Sequence, residues 1–277
     1  MGLSKKMAIP VHIVIVTHNS AGVIDICLGH IEKQTAPVKS VVIVDSGSDD
    51  PAYLDTNPPR GIKVIKTGNI GFSQANNLGF REVAADRGGL VVFMNPDAFL
   101  PPDYISQAVQ VMHENPGVAV VSGKLLGFDI KTMKPTGKID SAGIFRKWYG
   151  RWYDRGQGEQ DTGQFSLIEN LPAACGALIC CRIKSLEHFN GKVFDPDFFL
   201  YKEDIELGIR LRETGGKLIY DPRLFAYHCR GWGQRAKIGY DLRLAAAKSE
   251  VLLYRKHPGP YSIWAYLKLF LVRVFHI

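Results

Sequence analysis

Long apolar runs are missing from this 277-residue chain. No stretch supplies the ~20 unbroken apolar residues that a membrane-spanning helix needs. The nearest approach, residues 258–277, is interrupted by Pro258, Pro260, Lys268 and Arg273. Cysteine is sparse. Its five copies (Cys27, Cys175, Cys180, Cys181, Cys229) form no CxxC pair and no Cys/His spacing suited to zinc, and their odd number excludes a fully paired disulfide framework. They read as reduced, mostly buried thiols of a cytosolic protein. No Gly-x-Gly-x-x-Gly follows the first apolar run, which argues against a nicotinamide-dependent dehydrogenase. Internal repeats and low-complexity segments are absent too. The first apolar run, residues 9–16, holds Pro10 and His12 and ends without a small-residue cleavage site, which argues against a secretory signal.

What is present suits a globular domain with a large core: 46% apolar and 22% charged residues. The net charge of +7 is unevenly placed. Residues 1–200 hold 20 basic and 20 acidic residues, and residues 201–229 hold five of each. Residues 230–277 hold nine basic residues against Asp241 and Glu250, so the whole excess sits in the tail. Such a block seeks lipid headgroups, nucleic acid or a phosphorylated substrate, or forms a solvated helix face. No nucleic-acid module accompanies it, so no nucleic-acid partner is expected.

Over the first ~120 residues, short β-rich runs alternate with helical patterns. Strands are expected at 11–17, 40–45, 62–67, 90–95 and 118–126, with a helix over about 21–34 and others within 68–88 and after Pro101-Pro102. Near-continuous apolar strands separated by helices indicate a parallel sheet covered on both faces. In such sheets ligands bind at the carboxyl ends of the strands. Those ends read Thr17-His18-Asn19, Asp45-Ser46-Gly47, Thr67-Gly68-Asn69 and Asn95-Pro96-Asp97. One polar strand end is ordinary turn chemistry. Four in succession raise a nucleotide-type site above it. Beyond residue 127 the alternation gives way to hairpin-like sequence, an apolar run at 175–183, a helix ending at Gly215-Gly216, two short strands within 217–231 and a helix over 237–257.

Seven blocks then carry a resemblance: VTHNS, VVIVDSGSDD, GNIGFSQANNLGF, MNPDAFLPPDYI, CGALICCR, FDPDFFLYKEDIELGIRLRETG and AYHCRG. In this order they are similar to inverting family-2 glycosyltransferases of the GT-A fold, in the rhamnosyltransferase-like branch of bacteria. The resemblance runs over about residues 10–235. It implies an α/β fold with a mixed, mostly parallel sheet flanked by helices. A catalytic domain over 1–235 would divide into a nucleotide-sugar half, 10–125, and an acceptor half, 126–235, followed by a helical extension, 236–277.

The same resemblance assigns roles. Thr17, His18 and Asn19 line the nucleotide pocket, and Asp45 accepts from the base N–H, which suits a pyrimidine of a dTDP- or UDP-linked sugar. Asn69, Gly71, Asn76 and Asn77 match the segment that closes over ribose and diphosphate, where glycine allows close backbone approach. Asn95-Pro96-Asp97 stands where the family has Asp-any-Asp, so one carboxylate is replaced by an amide. Asp97 would hold Mg²⁺ or Mn²⁺ with His228 as the second ligand. Asp204 matches the general base, with Glu203 beside it. Cys175 and Gly176 match the segment the acceptor approaches. Asp140–Gly143 and Asp154–Gly156 resemble a flexible loop pair over the donor. Trp148, Trp152 and Tyr153 are rings that stack on sugars or pack in a core, and Trp152 is the candidate acceptor contact.

Trp264, Phe270 and Phe275, flanked by Arg255, Lys256, Lys268 and Arg273, suit a helix lying in the interface of an anionic membrane, or one packed on the core with a basic face in water. The expected enzyme is cytoplasmic or peripheral on the inner membrane face, with a glycan or lipid-linked glycan acceptor. Two other readings are a sugar nucleotidyltransferase and a non-catalytic glycan- or membrane-binding protein. The first wants a basic, glycine-rich phosphate loop that VTHNSAG lacks, and the retained Asp97, Asp204 and His228 argue against the second.

Overall fold

The computed structural model describes residues 9–55, 61–230 and 239–276. The expected boundary at 235/236, the start of the expected 237–257 helix, and the tail residues Arg235 and Lys237 lie outside them.

Strand β1 (Val11–Thr17) is buried along its whole length. A strand that presents Val and Ile on both faces must be covered on both, and this one lies mid-sheet between β2 (Ser40–Ser46) and β4 (Leu90–Met94), parallel to each. His12 breaks the apolar run without cost to burial, because its ring nitrogens meet Ser40 Oγ and Asp86. Strand β3 (Ile62–Thr67) completes the parallel edge beside β2. The first helices are α1 (Ile24–Glu32), shorter than its sequence pattern, and α2 (Gly71–Arg81). A two-residue strand β5 (Ala98–Phe99) and helix α3 (Tyr104–Glu114) follow β4.

The expected fifth strand is β6 (Val118–Asp129), but it does not lie beside β4. Between them runs β11 (Leu178–Arg182), antiparallel to both, which makes the sheet mixed. Two hairpins fill the region between: β7 (Lys134–Ser141) returns along β6, and β8 (Ile144–Arg146) pairs with β9 (Trp152–Asp154) in a separate small sheet. Short β10 (Glu169–Asn170), helix α4 (Ile183–Leu186) and helix α5 (Glu203–Glu213) come next. The two short strands expected within 217–231 are one strand, β12 (Lys217–His228), whose register against β6 shifts between Tyr220 and Phe225. Pro222 lies in that shift, where the ladder loses a donor without ending the strand. Helices α6 (Tyr240–Lys256) and α7 (Ser262–Phe275) form the described extension.

The strand order β10-β12-β6-β11-β4-β1-β2-β3 places a topological switch between β1 and β4. A crevice outside the carboxyl ends of these two strands is where such a sheet binds ligands. All five cysteines are unpaired and buried. Among the described residues, no helix is long and apolar enough to cross a membrane.

Candidate active site

The end of β4 is held from two sides. The Asn95 N–H donates to the Ala177 carbonyl at 2.9 Å, and the Cys229 N–H donates to the Asp97 carbonyl at 3.1 Å. Pairing of β5 with β12 sets His228 opposite Ala98, and so beside Asp97. As a result Asp97 Oδ1 and His228 Nε2, separated by 131 positions, stand 3.3 Å apart. Asn95 Nδ2 lies 3.5 Å from the same ring nitrogen.

His228 is buried, and its Nδ1 faces Asp140 Oδ2 at 2.8 Å. Burial alone would lower its pKa, but Asp97 and Asp140 outweigh it and raise the value to about 9. The same contact acts on Asp97. Burial pushes its carboxyl up, and the His228 charge and hydrogen bond hold it below the ordinary range. A backbone N–H from Arg230 also helps.

These residues fit a divalent ion. One carboxylate oxygen and one imidazole nitrogen converge, and the other ring nitrogen is fixed by a second carboxylate, which sets the tautomer a metal ligand needs. Among the described residues no group of three or more His, Cys, Asp or Glu side chains gathers to hold a metal. A divalent ion at this point would draw on the Asp97–His228 pair alone among those side chains, a number of protein ligands that Mg²⁺ accepts.

Arg230 ties this pair to the rest of the site. Its Nε lies 3.0 Å from Asp140 Oδ1, one terminal nitrogen 3.0 Å from Asp154 Oδ2, and the other 3.2 Å from Cys175 Sγ. Asp140 is fully buried in β7, and Asp154 ends β9. The pair expected to sit on flexible loops is thus a fixed charged network, because two carboxylates around one guanidinium are stable only when held in place. Arg230 appeared in the sequence only as part of the AYHCRG block and the basic tail. Its spacing from Asp140 and Asp154 holds no local pattern that could have shown the network.

One residue past Cys175, the Gly176 N–H donates to Asp204 Oδ2 at 2.9 Å. A Cβ at Gly176 would lie 3.1 Å from Asp204 Cβ, so the small residue makes room for the carboxylate. Asp204 and Glu203 open α5. Burial pushes the Asp204 carboxyl above its ordinary value, with nearby Asp154 adding to the rise and the Gly176 and Ile205 N–H groups opposing it. Glu203 is pushed up to about 8 by burial first and by Asp204 second. Its Oε2 is buried without a hydrogen-bond partner. Of two adjacent carboxyls that disfavour joint ionisation, Glu203 is the better proton holder, since Asp204 accepts from two backbone donors. The two residues before them, Tyr201 and Lys202, both have positive φ, at 71° and 70°. Two consecutive side-chain-bearing residues there carry strain of a kind that gathers at functional sites.

The residues expected to line the nucleotide pocket divide into two sets. His18, Asn19 and Asn69 are exposed at their strand ends, and Asn95 and Asp97 are half-buried. The Asn19 side chain bonds Asp49, and His18 Nδ1 faces the Ser46 carbonyl, so the first two loops brace each other. The other set is buried. Asp45, 1% exposed, accepts from Thr17 Oγ1, Ser48 Oγ, Ser48 N–H and the Tyr53 hydroxyl. Burial pushes it up, but these donors outweigh that and keep it ionised. Its carboxylate is the hub of the loop after β2, rather than an open acceptor.

Asn76 bonds the Phe72 carbonyl, one turn back in its own helix. Asn77 uses both ends of its amide on Phe194, donating to its carbonyl at 2.6 Å and accepting its N–H at 2.9 Å. Gly71, at φ +78°, has Phe199 against it, where a Cβ would meet the ring at 2.5 Å and the carbonyl at 2.6 Å. The close approach that demands glycine here is to the segment leading into Asp204. α2 thus grips residues 194–199 from below. Trp152, offered as an acceptor contact, is 7% exposed within the core, with the Arg146 guanidinium 5.6 Å from its ring centroid.

Solved structures share this architecture, which is the GT-A fold. A mannosyltransferase from Pyrobaculum calidifontis, solved with GDP-Man and Mn²⁺, superposes with a TM-score of 0.59 at 20% identity, over 96% of this chain and 70% of its own. GalNAc-T7, solved with UDP, GalNAc and Mn²⁺, gives 0.60 at 16% identity, and this chain spans 58% of its length while 98% of this chain is covered. TarS of S. aureus, residues 1–349 with UDP, gives 0.56 at 16% identity, over 97% and 72%. The family follows from the sequence itself. The chain belongs to Glycosyl transferase family 2, whose model matches residues 12–189, and it is a glycosyltransferase. No curated protein matches it in sequence. The family match ends before Asp204 and His228.

Proposed function

We propose that this glycosyltransferase moves a sugar from a pyrimidine nucleotide diphosphate, dTDP- or UDP-linked, to a hydroxyl of a glycan or lipid-linked glycan, with inversion. Rhamnose is the sugar suggested by the blocks that resemble the rhamnosyltransferase-like branch. The observation that carries this reading is the continuous chain His228–Asp140–Arg230–Cys175, then Gly176–Asp204, which joins the Asp97–His228 pair to a candidate base.

Inverting transfer needs a base for the acceptor and stabilisation of the departing diphosphate. Asp204 takes the hydroxyl proton while that oxygen attacks the anomeric carbon from the face opposite the leaving group. The new C–O bond forms as the bond to the diphosphate oxygen breaks, and the electron pair leaves with the nucleotide. The raised pKa of Asp204 suits this, since a carboxylate lifted above its ordinary range is a stronger base. Asp97 and His228 would hold Mg²⁺ or Mn²⁺, which when bound offsets the charge that builds on the diphosphate. His18, Asn19 and Asn69 line the nucleotide side, and Asp45 with Thr17 keeps those loops in shape. Cys175 and Gly176, both buried, act on the acceptor side through the residues they hold, Arg230 and Asp204. The division at 125/126 falls within β6, so both proposed halves share one sheet. Five buried, unpaired cysteines favour a reducing compartment such as the cytoplasm.

A thermal-shift panel of dTDP, UDP and GDP, each with and without Mn²⁺, tests the reading. Stabilisation by dTDP or UDP that depends on metal is expected. A response to GDP alone would overturn the pyrimidine assignment, and no response to any pyrimidine diphosphate would overturn the donor class.

A further inference from the structure

The solvent side of α7 is apolar. Ala265 and Val272 face the body of the protein, while Ile263, Leu267, Phe270 and Val274 form one stripe at helical spacing on the outside, between 42% and 83% exposed. Trp264 and Phe275 flank that stripe, also half exposed or more. A helix packed on a globular core shows the reverse pattern, and a contiguous exposed apolar face marks an interaction site.

The face continues onto a second element far away in sequence. Trp148, at the tip of the β8–β9 hairpin, is 93% exposed. Its ring meets Tyr149 edge-on at 5.4 Å, and Tyr149 lies 6.1 Å from Tyr261, the residue that precedes α7. The hairpin is pinned there, since the Tyr254 hydroxyl of α6 donates to the Gly150 carbonyl at 2.6 Å. Around this aromatic-apolar surface stand exposed Lys147, Arg151, Arg255 and Arg273. Among the described residues none of the four has an acidic partner, whereas Lys256 and Lys268 nearby are paired with Asp195, Asp197 and Glu250.

We propose that α7 and the β8–β9 hairpin tip together form a surface that docks onto an anionic lipid bilayer. Indole and tyrosyl rings with an apolar stripe and a basic rim match the headgroup boundary of such a membrane. A second copy of the chain is the poorer occupant, because a symmetric pairing would bring two like-charged rims together. The docking stands independently of the reaction. Its consequence for function does rest on the transferase reading: the same hairpin runs inward to Asp154 beside Arg230, so a lipid-borne acceptor would be held next to the crevice.

Vesicle flotation of the full chain tests this, using phosphatidylcholine alone and phosphatidylcholine with roughly one-third phosphatidylglycerol. Co-flotation with the anionic vesicles, at least about tenfold weaker on neutral ones and falling with salt, is expected. Ile263→Glu with Phe270→Glu should abolish it, Trp148→Ala should weaken it, and Arg255→Glu with Arg273→Glu should remove the anionic preference. Nucleotide-dependent thermal shifts of the variants report folding, and separate failure of docking from failure of the donor site. Absence of flotation by the wild type, or flotation undiminished in the Ile263→Glu, Phe270→Glu variant, would overturn the proposal. So would a concentration-dependent dimer that Ile263→Glu breaks, since the face would then be a self-interface.

Discussion

His228 Nδ1 stands 2.8 Å from Asp140 Oδ2, across 88 positions of sequence, and Asp140 also faces the Arg230 guanidinium at 3.0 Å. One fully buried carboxylate thus fixes both the candidate metal ligand and the cation that reaches Cys175. Asp140→Asn keeps the shape and removes the charge. The Mn²⁺ concentration that half-saturates nucleotide-dependent stabilisation should rise by roughly 10- to 100-fold, the usual effect of losing such a partner. An unchanged Mn²⁺ requirement would mean that His228 needs no orienting carboxylate.

Asp204→Asn should leave nucleotide binding intact and lower turnover by roughly 100- to 10,000-fold, the usual contribution of a positioned base. Donor affinity by thermal shift and transfer by product formation separate the two effects. Normal turnover would remove Asp204 from the role of base.

Gly176→Ala tests positioning rather than chemistry. The added methyl would sit 3.1 Å from Asp204 Cβ and 3.3 Å from Oδ2, so the carboxylate must move. Turnover should fall by about 10- to 100-fold with donor affinity unchanged, because small misplacements of a base are costly.

Glu203 makes stability depend on pH. Its folded pKa of about 8 exceeds the ordinary 4.5, so the native state binds more protons than the unfolded state between these values. Its contribution is therefore most favourable below pH 4.5 and is lost as pH rises through 8. Melting temperatures measured across pH 5 to 9 should decline more steeply for the wild type than for Glu203→Gln. Parallel curves would show that Glu203 ionises freely.

Asn77→Ala strips two buried backbone groups of Phe194 of their partner. The loss should be roughly 2–6 kcal/mol in chemical denaturation, at about 1–3 kcal/mol for each unpaired group. Asn77 is then a pin between α2 and the approach to Asp204. A change in nucleotide affinity with stability unaltered would make it a ligand contact instead.

The parallel half of the sheet was legible because β1 to β4 are local objects. Each is an apolar run ended by polar residues, and periodicity reads such runs directly. The Asn95-Pro96-Asp97 turn was visible for the same reason, as was the Glu203-Asp204 start of α5. The insertion of β11 between β4 and β6 was not, since strand order depends on pairings between residues far apart in the chain. Nor did local pattern reveal the bulge that keeps β12 a single strand past Pro222.

By itself, the sequence determined which residue types stand at the ends of the strands, and hence the family and the chemistry to look for. Tertiary structure alone decided which of them face the crevice. Asn77 carries the same amide as exposed Asn19 and Asn69, and Asp45 ends its strand in an equally polar turn, yet both lie buried and bonded to the protein. Only the folded chain brings Asp140, Arg230 and Asp154 into one network, and sets Trp148 beside α7. Side-chain chemistry is written residue by residue, but burial and charge pairing are properties of neighbours, which sequence distance does not specify.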